Sequence, residues 1–261
     1  PAGLFFLIVS VMIHYKQEWE IQIMREGGAK LREAVKLLVS TVRPGQTTQE
    51  IDKKAEKFIL AQEAEISFSK VKGYSWATCL PVNEQVVHTP PGKRVLNEGD
   101  VLTIDIGAYY QGFHTDYATT FVVGASRDKK VDTFLKVGRE TLDKAIKQAK
   151  AGNHLGHISQ IIEEGIYSNG YHVMEQLTGH GVGRDLHEDP FVPGFLDKPL
   201  NETLKIRAGL VLAIEVIYSM GTEHIANEKG DNWSIVTADG SLSACFEHTV
   251  AITDKNTFIL T

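Results

Sequence analysis

Residues 101–123 read VLTIDIGAYYQGFHTDYATTFVV. Two β-rich runs, Val101 to Ala108 and Phe113 to Val123, flank Tyr110-Gln111-Gly112, and the pattern predicts an antiparallel hairpin. Each run carries one carboxylate, Asp105 in the first and Asp116 in the second. Aspartate is depleted in strands, and an unpaired buried carboxylate is very costly. In a hairpin with an even-numbered loop, residues of opposite parity lie across from each other on one face. Asp105 and Asp116 have opposite parity and therefore point the same way. Two like charges together are destabilising unless a cation sits between them. Taken alone, the pair has a second reading, in which one Asp caps a turn and the other faces water.

Outward from the hairpin the chain has a repeating order. Glu18 to Val42 is helical by the spacing of Ile21, Met24, Ala29, Leu31, Val35, Leu38 and Val39. Arg43-Pro44-Gly45 stops it, and Thr47-x-x-Glu50 reads as a capping box that opens a helix through about Glu65. Short strands and loops follow to Pro91. After the hairpin, Asp128 to Lys150 and Leu155 to Ser168 make a second helix pair around Ala151-Gly152-Asn153. A Pro/Gly-rich stretch covers Asp189 to Pro199. The last strands are Leu210 to Ser219, Trp233 to Thr237 and Cys245 to Thr253. Helix, turn, helix, then strands occurs twice, which predicts an α+β domain of two pseudo-symmetric halves. No Pro/Ser-rich linker divides residues 14–261, so they form one domain. Residues 1–13, whose Gly3 to Ile13 is apolar but only 11 residues long, read as an extension outside the core. A membrane-spanning helix needs ~20 residues, and a secretory signal needs a basic start, so neither is expected.

The chain has 261 residues, 43% of them hydrophobic, with 27 Lys+Arg against 33 Asp+Glu, for a net charge of −6. That argues against a general nucleic-acid binder, whose footprint is basic. Its 2 cysteines are too few for a disulfide framework or a four-thiolate zinc site and suit a reducing cytoplasm.

Three further segments carry chemistry. Thr178-Gly179-His180-Gly181-Val182-Gly183 sets a histidine among glycines, followed by Leu186-His187-Glu188-Asp189-Pro190. It lacks the Lys-Ser/Thr of a phosphate-binding loop. Val211-Leu212-Ala213-Ile214-Glu215-Val216-Ile217 places one glutamate in an apolar strand, and Cys245-Phe246-Glu247-His248-Thr249 does so again. Few basic residues lie in these strands, so metal coordination explains the carboxylates better than salt bridges do. Asp105, Asp116, Glu215 and Glu247 supply four negative charges, which two divalent cations balance, and His180 adds a neutral nitrogen. Two cations sharing carboxylates and a bridging water would lie ~3.5 Å apart, as in two-metal hydrolases. Such a donor set suits Co, Mn, Fe or Zn without choosing among them.

The order Asp105, Asp116, His180, Glu215, Glu247, with Gly-His-Gly-Val-Gly and Ser-Leu-Ser-Ala-Cys-Phe-Glu-His-Thr, resembles the type I methionine aminopeptidase family from about Met24 to Thr261. The resemblance implies a pita-bread fold, with two halves around a central antiparallel sheet and a dinuclear site between them. It implies that the five residues are metal ligands. It implies removal of the N-terminal methionine of nascent chains by a bridging water, with His88, His187 and Glu215 catalytic. His88 and His187 would also touch substrate, and Tyr74, Cys79, Trp233 and Leu186 would line the pocket. Cys79 reads equally as a plain buried thiol, Trp233 as a core or rim aromatic, and Tyr74 as a loop aromatic. Three departures bear on stringency: Val216 stands where the family usually has Pro, Leu186 where an aromatic is usual, and Val71 where a Tyr is common.

The nearest rival is a prolidase or aminopeptidase P, which shares the five ligands but usually carries a further N-terminal domain. Another is a non-catalytic binding module on the same fold, although such relatives typically lose ligands. A cytoplasmic monomer without sequence-specific nucleic-acid binding is expected. Ribosome association would suit the enzyme but has no positive signal in the sequence.

Overall fold

The computed structural model describes residues 12–126 and 128–261. Most of the extension assigned to residues 1–13 therefore lies outside the described residues. Met12 to Gln17 is irregular, and Ile13 and Tyr15 pack against a hydrophobic core.

The helices are α1 (Glu18–Thr41), α2 (Thr48–Ala61), α3 (Lys129–Ile146) and α4 (Leu155–Tyr167). The strands are β1 (Glu65–Ile66), β2 (Thr78–Cys79), β3 (Gln85–Val87), β4 (Val101–Tyr110) and β5 (Phe113–Val122), then β6 (His172–Val173), β7 (Thr178–Gly181), β8 (Glu188–Pro193) and β9 (Val211–Ser219). The last are β10 (Ile225–Asn227), β11 (Ile235–Thr237), β12 (Ser243–Ile252) and β13 (Thr257–Ile259).

Local chemistry sets the element ends. At the start of α2 the Thr47 hydroxyl accepts from the Glu50 N–H at 3.2 Å, and the Glu50 carboxylate accepts from the Thr47 N–H at 2.7 Å. This is the capping box expected from Thr47-x-x-Glu50. The helix stops at Ala61 rather than near Glu65, because Glu63 turns to φ 57° and Glu65 then joins β1. The hairpin pairs Tyr110 with Phe113 and turns through Gln111 (φ 48°) and Gly112 (φ 92°). Two positive φ values in a two-residue loop match the right-handed twist of the strands.

The main sheet runs β1-β4-β5-β12-β9-β7-β8, with its pairs antiparallel. Side-chain alternation gives it two distinct faces. Leu102, Ile104 and Ile106 of β4 pack with Leu31, Leu38, Ile51 and Ile59 of α1 and α2. Leu212, Ile214 and Val216 of β9, with Phe246 of β12, pack with Phe134, Leu142, Ile158 and Ile162 of α3 and α4. Each half thus buries one face of its strand pair under its own two helices, and the halves join where β5 pairs with β12. Burial of these side chains is the main stabilising term, ~1.5–3 kcal/mol for each fully buried aliphatic or Phe.

Two further segments differ from the sequence reading. The Pro/Gly-rich stretch after His187 begins as β8, which pairs Gly181 with Glu188 and Gly179 with Val192. Pro190 and Pro193 are tolerated there because β8 is the last strand of the order and one side needs no donor. α3 ends at Ile146, short of Lys150, in a turn where Gln148 and Ala149 donate to Ala145 and Ile146. Among the described residues no helix is long and apolar enough to cross a membrane.

α1 lies directly on the end of the chain. A Cβ on Gly28 would come within 2.7 Å of the Leu260 carbonyl carbon, whereas one on Gly27 would meet only the Tyr110 side chain, nearest at its Cβ, 3.2 Å away. Gly28→Ala is expected to destabilise the fold by ~1–3 kcal/mol through overpacking against backbone. Gly27→Ala should be nearly neutral, because helix propensity offsets the contact by ~0.5–1 kcal/mol. Urea unfolding of both variants checks this, and equal stability would exclude the close approach.

Candidate functional site

The face of the sheet turned away from the helices carries the carboxylates, and the register shows how. Asp105 of β4 pairs with Ala118 of β5, Ala118 with Glu247 of β12, and Glu247 with Glu215 of β9. Paired residues share a face, so Asp105, Glu247 and Glu215 form one row across four strands, with small Ala118 leaving space in the middle. Asp116 lies two residues from Ala118 along β5. His180 pairs with Ala213, two residues from Glu215 along β9. All five side chains predicted as ligands therefore face one cavity, which they line together. The parity argument for Asp105 and Asp116 holds in the observed register.

Backbone and side-chain hydrogen bonds hold the donors in place. Asp116 N–H donates to the Thr249 hydroxyl at 2.8 Å, and that hydroxyl donates to the Asp116 carbonyl at 2.8 Å. Thr249 N–H in turn donates to the Thr261 hydroxyl at 3.0 Å. The Asp116 carboxylate accepts from Tyr117 N–H at 3.0 Å. His180 Nδ1 lies 2.8 Å from the Gly181 carbonyl, which only accepts, so Nδ1 carries the proton and Nε2 is a bare lone pair. That lone pair faces Glu215 Oε1 at 3.5 Å and Asp116 Oδ2 at 4.0 Å.

Such a meeting of acceptors needs a positive charge. Burial pushes the carboxyls of Asp105, Glu215 and Glu247 well above the usual range, and the neighbouring carboxylates add to the effect. Burial raises Asp116 from 3.8 to about 7. Burial, with the neighbouring His187 imidazole next in effect, pulls His180 down to about 3, so its imidazole stays neutral. Among the described residues, the only basic side chain within 4.0 Å of these carboxylates is His180. Glu247 Oε1 is buried with no hydrogen-bond partner. One ligand atom each from Asp116, His180 and Glu247 falls within 4.8 Å of the others, a geometry that fits a metal ion. Oxygen donors with one imidazole fit a divalent cation.

The remaining predicted residues surround this cluster in the same cavity. The His187 ring lies 4.4 Å from that of His180, nearly edge-on. His88 stands at the rim with φ 57°, a left-handed conformation uncommon outside glycine. Both residues are exposed at the cavity mouth, yet partial desolvation lowers the pKa of both imidazoles and favours their neutral forms. Tyr74 donates to the Thr78 carbonyl at 2.7 Å and contacts Cys79 Sγ at 3.1 Å, and its ring meets Trp233 at 5.1 Å. Tyr74, Cys79 and Leu186 are buried together, with Val71 and Trp233 against them. They form an apolar wall beside the charged floor.

Three lining residues were not anticipated from the sequence: Phe68, Val87 and Cys245. Cys245 was within reach, since it lies two residues before Glu247 in a strand and so shares its face. Phe68 sits in a 3-10 turn and has no periodicity to reveal it. It packs with Tyr74, Cys79 and Leu186, and so supplies an aromatic to a wall in which Leu186 and Val71 are not.

A carboxylate-rich, desolvated donor set at the floor of an apolar cavity defines a metal-dependent hydrolytic centre. Residues 22–254 match the metallopeptidase family M24. Methionine aminopeptidase 1 of Bacillus subtilis is 41% identical over 252 residues, covering 96% of this chain and 99% of that protein. A methionine aminopeptidase of Clostridium perfringens is 42% identical over 250 residues, covering 96% and 99%. The crystal structure of methionine aminopeptidase from Thermotoga maritima superposes with a TM-score of 0.91 at 38% identity, covering 96% of this chain and 99% of that one. The chain belongs to metallopeptidase family M24, among its methionine aminopeptidases. A prolidase from Pyrococcus furiosus shares the pita-bread fold, with a TM-score of 0.73 at 22% identity, and this chain covers 65% of it.

The raised pKa of Asp116 has a measurable sign. In the metal-free chain the folded state keeps its proton up to about 7, while the unfolded state loses it near 3.8, so its contribution to stability falls as pH rises across that window. Asp116→Asn has no such group. The metal-free variant is expected to gain on the metal-free parent between pH 5 and pH 8, while its Mn²⁺ affinity falls ~10-fold or more. Urea unfolding in chelator at both pH values, with titration calorimetry, checks this. An advantage that shrinks with pH would contradict the desolvated carboxylate.

Proposed function

We propose that the chain removes the N-terminal methionine from nascent proteins and peptides, with Asp105, Asp116, His180, Glu215 and Glu247 holding two divalent cations. The observation that carries this reading is the row of buried and half-buried carboxylates with a bare imidazole lone pair among them. It is supported by near-full-length relatives named methionine aminopeptidases. When bound, the cations supply Lewis acidity and lower the pKa of water.

The chain's own groups have separable tasks. Glu215, one end of the carboxylate row, takes the proton of the attacking water and passes it to the leaving amine. His187, neutral and beside His180, donates to the carbonyl oxygen as negative charge develops there. His88, at the rim, contacts the peptide beyond the scissile bond. The wall of Phe68, Val71, Tyr74, Cys79, Leu186 and Trp233 takes the methionine side chain, for which an apolar, aromatic-rich surface suits a polarisable thioether. We place the enzyme in the cytoplasm, where nascent chains carry the initiator methionine and where Cys79 and Cys245 stay reduced. A monomer, associating with ribosomes near the exit of nascent chains, suits that task.

Metal-stripped protein is expected to release methionine from a Met-Gly-Met peptide only after Mn or Co is added, and to leave an Ala-Pro peptide intact. Glu215→Gln should lower kcat by ~10²–10⁴-fold. Cleavage before proline would move the chain to the prolidase side. Full activity of the Glu215 variant would remove that residue from the proton path.

A further inference from the structure

Glu188 follows His187 directly but does not join the carboxylate cluster. Its Oε2 meets Lys16 Nζ in an ion pair whose side chains are 4% (Lys16) and 7% (Glu188) exposed. Its Oε1 accepts from the backbone N–H of Arg184 at 2.7 Å and of Asp185 at 3.2 Å. One carboxylate therefore closes the turn that precedes Leu186 and His187 and ties it to a lysine 172 positions earlier in the chain.

Lys16 is held at both ends. Its Nζ also donates to the His14 carbonyl at 3.1 Å, and its backbone N–H donates to the Gly209 carbonyl at 2.7 Å. Two glycines leave room for it. A Cβ on Gly183 would lie 2.6 Å from Glu188 Oε1 and 2.8 Å from Lys16 Nζ, and one on Gly209 would lie 2.8 Å from the Lys16 carbonyl. The last glycine of Gly-His-Gly-Val-Gly is therefore the clearance through which Lys16 passes.

We propose that the buried Lys16–Glu188 ion pair is a positioning device that holds Leu186 and His187 against the carboxylate cluster, and that Lys16 thereby belongs to the active-site machinery. The proposal rests on the peptidase reading above. A buried ion pair is a weak source of net stability compared with apolar groups of the same volume. Its geometric effect is larger, because loss of one partner leaves the other charged and dry, and the turn must move to rehydrate it. A shift of about 1 Å in a group that acts on the reacting atoms costs ~10²-fold in rate.

The test compares the metal-loaded parent with Lys16→Met, Glu188→Gln and the double variant, using Lys36→Met as a surface control. Each single variant is expected to lower kcat by ~10²-fold, with KM and Mn²⁺ affinity within ~3-fold of the parent. The double variant lacks the orphaned charge and is expected to recover the parent's thermal midpoint without recovering kcat. The His187 imidazole resonance, read on the proteins loaded with diamagnetic Zn²⁺ and assigned with His187→Gln, is expected to shift in all three variants and not in the control. Recovery of kcat along with the midpoint would make the pair merely structural and overturn the proposal, as would an unmoved His187 resonance. A parent that releases no methionine would sink the peptidase reading alone, and the resonance would still decide the positioning.

Discussion

Four carboxylates and one imidazole lone pair share a single face of a sheet and a single cavity, with no basic side chain other than His180 within 4.0 Å among the described residues. Left alone, this arrangement opposes folding, since burial and mutual repulsion both disfavour the charged forms. Much of the surrounding structure can be understood as what keeps it in place. The strands that carry it are hydrogen-bonded on both sides, the far face is sealed by two helix pairs, and the backbone at Asp116 is clamped by Thr249. A site that is unfavourable by itself has to be over-determined by its frame.

The two halves answer each other. Asp105 on β4 and Glu215 on β9 occupy the outer positions of the row, while Ala118 on β5 and Glu247 on β12 occupy the inner ones. The correspondence is structural rather than chemical: one inner position is a carboxylate and the other a methyl. The asymmetry gives the cavity both its charge and its space. His180 has no imidazole counterpart in the row, and it enters from β7 beside one half only.

Much of the frame was legible in the sequence. Side-chain parity put Asp105 and Asp116 on one face of the β4–β5 hairpin, and the isolated acids in the apolar runs of β4, β9 and β12 identified the floor of the site. Which strands are neighbours was not legible from periodicity, because a strand's pattern states which side it buries and not what it pairs with. That order comes from the structure, and the roles expected for His88, His187 and the pocket wall came from resemblance. The contribution of Phe68 was missed because its turn has no period, and β8 was missed because its prolines are tolerated only at an edge. The use of Gly183 depends on a lysine far away in the chain, a relation that no local window contains.

Leu260 and Thr261 are part of the frame. Leu260 lies against Gly28 of α1 and receives Arg32, while Thr261 is buried and reaches Asp116 through Thr249. A polypeptide made from its N-terminus acquires these contacts only after β4, β5, β9 and β12 have been made. The Asp116 part of the carboxylate floor therefore lacks its clamp until Thr249 and Thr261 have folded against it. Assembly of the centre is in this way completed by residues at least 133 positions beyond the aspartate they hold in place.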